Sequence, residues 1–147
     1  PFETHLYFYA VDGRLIFFFV LPTRVNDPTP LTEGIGNLHH LAFTVSRAVY
    51  TQVAEKLHEL GISNTGPIDR GFMDSIYFRD PNGQLLEMAC YKFTPPDCYH
   101  VADVLGLAHK IRVAAGDYNI TDKHLAEAIA QLAERKAAMV PSAEMGG

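Results

Sequence analysis

The chain has 147 residues, enough for one domain with a hydrophobic core and an appended segment. Its hydrophobic fraction of 48% and charged fraction of 20% are typical of a water-soluble globular protein. A net charge of -5 without a basic cluster argues against a nucleic-acid partner. The apolar run 15–21 is too short to cross a membrane, and neither a signal peptide nor a disulfide framework is recognisable. We therefore expect a cytoplasmic protein without a membrane partner.

The first segment predicts a β-hairpin. "THLYFYA" at 4–10 is rich in aromatic residues, Asp12-Gly13 is typical of a tight turn, and "RLIFFFVL" at 14–21 follows. Residues 22–36 contain three prolines and two glycines and predict a linker. Because the chain starts without Met and already in a strand pattern, we expect a fragment, or the ordered part of a longer protein.

Residues 37–91 predict the order β-α-β-β-β. A strand over 37–45 is followed by a helix over 47–60, with Ser46 as its N-cap and Gly61 at its C-terminal end. A short strand and loop over 62–72 lead to a hairpin over 74–91 that turns at Asp-Pro-Asn-Gly. Apolar residues at helical spacing predict two further helices after residue 100, and the last residues predict a frayed tail.

Two segments of the chain resemble each other at an offset of 70 residues. "HLYFYAVDGRLIFFF" at 5–19 aligns without a gap on "SIYFRDPNGQLLEMA" at 75–89. The alignment pairs Tyr7 with Tyr77, Phe8 with Phe78, Gly13 with Gly83 and Leu15 with Leu85. If the two hairpins share an origin, the first copy keeps only its last hairpin in this chain.

Alternation along the strands predicts one polar face. In strand 37–45, His40 shares a face with Ala42 and Thr44, whereas the neighbouring His39 points to the opposite, apolar face. Glu87 stands in an otherwise apolar strand, where a carboxylate is either exposed or bound to something. An imidazole and a carboxylate in one cavity suit Fe(II), Mn(II) or Zn(II). The alternative is that His40 only makes a hydrogen bond and Glu87 is solvated.

"GNLHHLAFTV", a helix and "GPIDRGFMDSIYFRDPNGQLLEMACY" together resemble the second βαβββ module of the vicinal oxygen chelate superfamily. That superfamily includes glyoxalases, bleomycin-resistance proteins and extradiol ring-cleaving dioxygenases. The resemblance implies an α+β fold with paired βαβββ modules in a cupped, incomplete barrel, followed by a C-terminal helical extension. The implied division is 1–21 for the hairpin of an incomplete first module, 22–36 for the linker, 37–92 for the complete second module and 93–147 for the helical extension.

The resemblance also implies a divalent metal bound by His40 and Glu87, with a third ligand, a His of the first module, expected before residue 1. Fe(II) is favoured, while Zn, Ni, Co and Mn stay open. Phe17 stands at the position that matches Glu87 and cannot bind a metal, which favours a three-ligand site over the four-ligand glyoxalase type. His5 is a further candidate ligand, although it lies on a different strand of its module.

Other residue roles follow from the same resemblance. Tyr77, ten residues before Glu87, is implied as a catalytic residue that hydrogen-bonds the substrate, and Arg70 as a partner for an anionic substituent. Four aromatic side chains are expected to form a substrate-binding wall: Tyr7, Phe17, Phe19 and Phe72.

Three functions remain open at this point. The leading hypothesis is an Fe(II) extradiol-type dioxygenase that cleaves a catechol-like aromatic. The second is a glyoxalase- or epimerase-type isomerase or lyase that uses Zn, Ni or Co, and the third is a metal-free drug-binding protein of the bleomycin-resistance type. We expect a small-molecule substrate of aromatic character as the partner, and a homo-oligomer such as a dimer.

Overall fold

The computed structural model describes residues 4–9, 15–23, 25, 29, 32 and 34–139. The predicted Asp12-Gly13 turn and the tail beyond residue 139 lie outside these residues. The described elements, in chain order, are β1 (Thr4–Tyr9), β2 (Leu15–Val20), β3 (Leu41–Thr44), α1 (Arg47–Glu59), β4 (Ile68–Asp69), β5 (Met73–Arg79), β6 (Leu85–Tyr91), α2 (Val101–Ala115) and α3 (Asp122–Met139). The predicted α+β class and the β-α-β-β-β order are therefore confirmed.

A four-stranded open sheet with strand order β3-β6-β5-β4 forms the centre of the second module. β3 is parallel to β6, while the β6–β5 and β5–β4 pairs are antiparallel. Helix α1 covers one face, where Tyr50 and Leu57 are buried together with Ile76 and Cys90 of the sheet. Since side chains alternate along a strand, the residues next to Ile76 and Cys90 in sequence point to the opposite face.

Both ends of α1 carry the predicted signals. Ser46 Oγ accepts a hydrogen bond from the Val49 amide at 3.3 Å, as an N-cap does. At the other end Gly61 has φ +63 and its amide donates to the His58 carbonyl, so the glycine provides the left-handed turn that ends the helix. The helix is thereby fixed between β3 and the following loop.

The β1–β2 hairpin and the β5–β6 hairpin have the same register. Tyr7 pairs with Phe17, and Tyr77 pairs with Glu87, which are the positions related by the offset of 70 residues. The predicted repeat thus extends from the residue types to the backbone pairing. The aromatic side chains of the first hairpin are largely exposed in this chain, up to 80% for Tyr9.

Helices α2 and α3 pack against each other around a second core. Its buried residues are Val104, Ala108, Leu125, Ala128 and Leu132. Gly116, at φ +75, ends α2. The fully buried His124 of α3 holds the segment between α2 and α3 against its own helix. Its Nε2 lies 2.9 Å from Asp117 Oδ2, and its Nδ1 accepts a hydrogen bond from the Thr121 amide at 3.0 Å. Among the described residues, none of the helices has the length and apolar character needed to cross a membrane.

Candidate functional site

His40 and Glu87 meet on the face of the sheet that α1 leaves uncovered. The Nε2 atom of His40 lies 2.9 Å from Oε2 of Glu87. Ala42 is the Cα partner of Glu87 in the parallel β3–β6 pair, so the histidine lies at the start of the neighbouring strand. Only 4% of Glu87 is exposed, whereas the His40 side chain is 30% exposed. The contact is therefore buried on the carboxylate side and open to solvent on the imidazole side.

Ser75 holds the second oxygen of the same carboxylate. Its hydroxyl donates to Oε1 of Glu87 at 2.6 Å, and the serine is completely buried. Both carboxylate oxygens are therefore engaged, one by Ser75 and one by His40. Sequence reasoning put Ser75 on the polar face but gave it no role. The signal in the sequence was a hydroxyl residue directly before the core residue Ile76, which places Ser75 on the opposite face of the strand.

His39 contacts His40, which differs from the expectation that these neighbours point to opposite faces. Their Nδ1 atoms are 2.7 Å apart, so one nitrogen carries the proton and the other accepts it. Strict alternation applies inside a strand, but β3 begins only at Leu41. The hydrogen-bonded chain thus continues from Glu87 through His40 to an exposed second imidazole.

Tyr77 and Arg70 lie beside this pair. The Tyr77 ring meets the His40 ring edge-to-face, with centroids 5.8 Å apart, and the Arg70 guanidinium carbon lies 5.9 Å from the Tyr77 centroid. The second distance is within the range of a cation–π contact. The structure therefore brings together four of the predicted site residues, whose chemical roles stay predictions.

Tyr91 adds a neutral hydroxyl near the carboxylate. It follows Glu87 on the same face of β6, four residues along the strand. Burial raises the pKa of Tyr91, and the negative charge of Glu87 raises it further. This phenol accordingly stays protonated at neutral pH.

The remaining predicted residues lie elsewhere. On the first hairpin, the His5 ring contacts Tyr7 and Phe19, and the Tyr7 ring contacts Phe17 at 5.1 Å between centroids. Phe72 packs against the core between α2 and α3. The contacts of these residues are thus with one another or with the helical core. Their roles as a metal ligand or as a substrate-binding wall stay predictions.

His40 and Glu87 fit two positions in the ligand set of a divalent metal. A neutral imidazole nitrogen and a carboxylate oxygen are both common ligands, and two such donors at a right angle about an ion are about 3 Å apart. Nε2 and Oε2 have this separation, 2.9 Å. Within the part of the chain that the structure describes, no group of three or more His, Cys, Asp or Glu side chains is arranged for a metal. These residues alone therefore supply a pair of ligands.

A solvent-open cavity of about 390 Å³ adjoins Tyr77. Asn64, Thr65 and Arg79 are among its lining residues. The volume falls in the range of small-molecule sites, which is roughly 300–1,000 Å³. Tyr77 thus lines this cavity and also contacts the His40 ring, whereas His40 and Glu87 are not among the lining residues.

Comparison with known proteins identifies relatives for the part of the chain that contains this site. The family model described as "Glyoxalase/Bleomycin resistance protein/Dioxygenase superfamily" matches residues 3–88. Biphenyl-2,3-diol 1,2-dioxygenase 2 of Rhodococcus globerulus is 32% identical over 69 residues, which are 46% of this chain and 36% of that protein. The provisionally named ring-cleaving dioxygenase MhqA of Bacillus subtilis (strain 168) is 34% identical over 68 residues, which are 44% of this chain and 21% of that protein.

The crystal structure of a glyoxalase/dioxygenase from Nostoc punctiforme superposes with a TM-score of 0.49 at 24% identity, covering 59% of this chain and 60% of that one. The matches to the two curated relatives are partial. The chain spans about a third of the length of the Rhodococcus protein and about a fifth of the Bacillus protein.

Proposed function

Because the chain belongs to the glyoxalase/bleomycin resistance protein/dioxygenase superfamily, we propose that it acts as a metal-dependent ring-cleaving dioxygenase of the extradiol type on a catechol-like aromatic. The observation that carries this proposal is the 2.9 Å approach of His40 Nε2 to the buried Glu87 Oε2, with Tyr77 against the same imidazole. The names of both partial relatives, a biphenyl-diol dioxygenase and a ring-cleaving dioxygenase, support the same reaction class.

In this proposal His40 and Glu87 hold Fe(II), and a histidine of the first module is the third ligand. The register of the two hairpins supports the position of that histidine. β6 pairs in parallel with the strand that follows His40, so the equivalent strand of the first module would pair with β2. Held by two histidines and one carboxylate with positions left open, Fe(II) would supply the chemistry for activating O2 and two adjacent substrate oxygens.

The side chains around the pair would orient the substrate. The Tyr77 hydroxyl would donate a hydrogen bond to a substrate oxygen, which is the part of its role that Phe could not replace. Arg70, 5.9 Å from the Tyr77 ring, would pair with an anionic substituent at the exposed side of the site.

One observation favours a dioxygenase over a glyoxalase-type isomerase. In the shared hairpin register, the first-module position equivalent to Glu87 is Phe17, whose side chain has no donor atom for a metal. The chain therefore has no protein ligand at the position where a fourth one would be needed. A three-ligand site has room for both substrate oxygens and O2.

The proposal is tested by reconstituting the purified protein with Fe(II) under argon and then admitting air together with a panel of substituted catechols. We expect O2 consumption and a yellow ring-opened product, which is lost in His40→Ala and retained in His58→Ala, a variant of an exposed histidine on α1. If no catechol draws O2, while a 2-oxoaldehyde thiol adduct is isomerised with Zn(II), Ni(II) or Co(II), the isomerase function replaces this one.

A further inference from the structure

We propose that Ser75 is a positioning residue, whose hydroxyl holds Oε1 of Glu87 so that the carboxylate presents only Oε2 to a metal. This inference rests on the proposed function, since it takes Glu87 to be a ligand. It concerns the denticity of that ligand: Glu87 would bind through one oxygen, and the other would be reserved for Ser75.

The hydrogen bond between the two side chains has the geometry of a charge-assisted contact. The distance from Ser75 Oγ to Glu87 Oε1 is 2.6 Å, within the range of 2.5–2.7 Å that a hydroxyl makes with an ionised carboxylate. Ser75 is directly opposite Ala89, and Glu87 is directly opposite Tyr77, so the bond crosses the β5–β6 pair diagonally. Backbone register therefore fixes both of its ends.

Burial explains why this contact matters. Ser75 is fully buried and Glu87 is 4% exposed, so water has little access to Oε1. A buried carboxylate oxygen without a donor is costly, and a flexible glutamate would rotate to find one. By providing that donor, Ser75 keeps Oε2 directed at His40. Partners that orient a metal ligand in this way typically contribute about 10–100-fold to metal affinity.

The test compares the Co(II) affinity and visible absorption spectrum of metal-free wild-type protein with those of Ser75→Ala. We expect an affinity about 10–100-fold lower, because the carboxylate loses the partner that orients it. We also expect a changed band shape, because the released Oε1 is then free to reach the ion as a second carboxylate oxygen. Thr94→Ala, which removes an exposed hydroxyl away from this site, is the control and should behave as wild type.

A second pair of variants distinguishes the loss of the hydroxyl group from a change in side-chain volume. This pair replaces the first comparison if Ser75→Ala does not fold. Ser75→Thr and Ser75→Val have the same shape but differ in one hydroxyl, so Thr should bind Co(II) about 10–100-fold more tightly than Val. Equal affinities in this pair would overturn the positioning role.

The outcomes also distinguish this inference from the proposed function. If Glu87→Ala abolishes Co(II) binding while Ser75→Ala keeps the wild-type affinity and spectrum, Glu87 is a ligand and the role of Ser75 is wrong. If neither substitution changes Co(II) binding, both proposals are wrong.

Discussion

Tyr77 lies directly opposite Glu87 in the antiparallel β5–β6 pair. Tyr7 lies opposite Phe17 in β1–β2 in the same way, so the two hairpins present a tyrosine and its partner at equivalent positions. The partners differ, a carboxylate in one hairpin and a phenyl ring in the other, so under the proposed function only the β5–β6 hairpin of the two offers an acidic ligand. The predictions below follow from this asymmetric site and from the packing that supports it.

Removal of either side chain of the pair should abolish metal binding. We expect the full-length wild-type protein, purified without chelator, to contain about one divalent ion per chain. His40→Ala and Glu87→Ala should contain almost none, because each removes one donor from a small ligand set. Elemental analysis measures the content. His58→Ala and Glu55→Ala, at exposed positions of α1, are the matched controls and should keep the ion. Full retention in both site variants would disprove the assignment.

Tyr77→Phe should separate catalysis from metal binding. The variant keeps the ring that packs against His40 and removes only the hydroxyl, so we expect unchanged metal content. Turnover of a catechol should fall by about 10²–10⁴-fold, the usual contribution of a positioned acid or base. Steady-state O2 consumption gives the rate, and Tyr118→Phe, at a tyrosine 92% exposed, is the control. A variant that loses its metal would instead indicate a role in holding the site together.

The sequence was sufficient to predict the βαβββ order and the position of His40 and Glu87 on one sheet face, because alternation along a strand depends only on residue order. It was not sufficient for the contact of His39 with His40. Strand β6 begins at Leu85, so the residues before His40 have no partner in a ladder, and β3 begins later than the apolar pattern predicts. Outside a ladder of paired strands, alternation no longer determines the direction in which a side chain points.

The bond from Ser75 to Glu87 could not be predicted for a different reason. The turn at Asp80–Gly83 fixes the register of β5 and β6, and that much can be derived from the residue types. A glutamate side chain, however, has several rotatable bonds. Local packing decides which conformation it adopts and whether one of its oxygens reaches the serine hydroxyl. The packing of Phe72 against the helical extension likewise depends on contacts distant in sequence.

The core beneath the site should be sensitive to truncation. Ile76 is 1% exposed and packs between α1 and the sheet, next in sequence to both Ser75 and Tyr77. Ile76→Ala should lower the free energy of unfolding by about 2–5 kcal/mol, because it leaves a cavity in a buried cluster. Val113→Ala, at a residue 56% exposed on α2, should have a far smaller effect. Urea denaturation of both variants measures the difference, and equal effects would contradict the packing.

An ion cluster at the edge of the sheet should make stability depend on pH. One carboxylate oxygen of Asp74 in β5 lies 3.0 Å from Lys92 Nζ, and the other lies 2.6 Å from Arg47 Nη2. The Arg47 ion pair joins the first turn of α1 to the sheet. The hydrogen bond from Lys92 is the main cause that holds the pKa of Asp74 below its usual range, and the bond from Arg47 adds to it. Conversely, hydrogen bonds to Asp69 and Asp74 raise the pKa of Lys92.

The sign of the pH effect follows from these two directions. A carboxyl group with a lowered folded-state pKa stabilises the fold above its unfolded-state pKa of about 3.9, and this contribution is lost as the pH falls through the folded-state value. Wild type should therefore be more stable than Asp74→Asn at neutral pH, and the difference should shrink below about pH 4. Because the pKa of Lys92 is raised, its contribution to the free energy of unfolding is lost only as the pH rises beyond about 10.4. Arg47 keeps its charge in that range. Unfolding in urea across this range, with Glu55→Gln as a variant that removes one exposed charge, measures the difference. If the gap between wild type and Asp74→Asn stayed constant down to about pH 2, well below the usual aspartate pKa, the ion pairs would not contribute to stability.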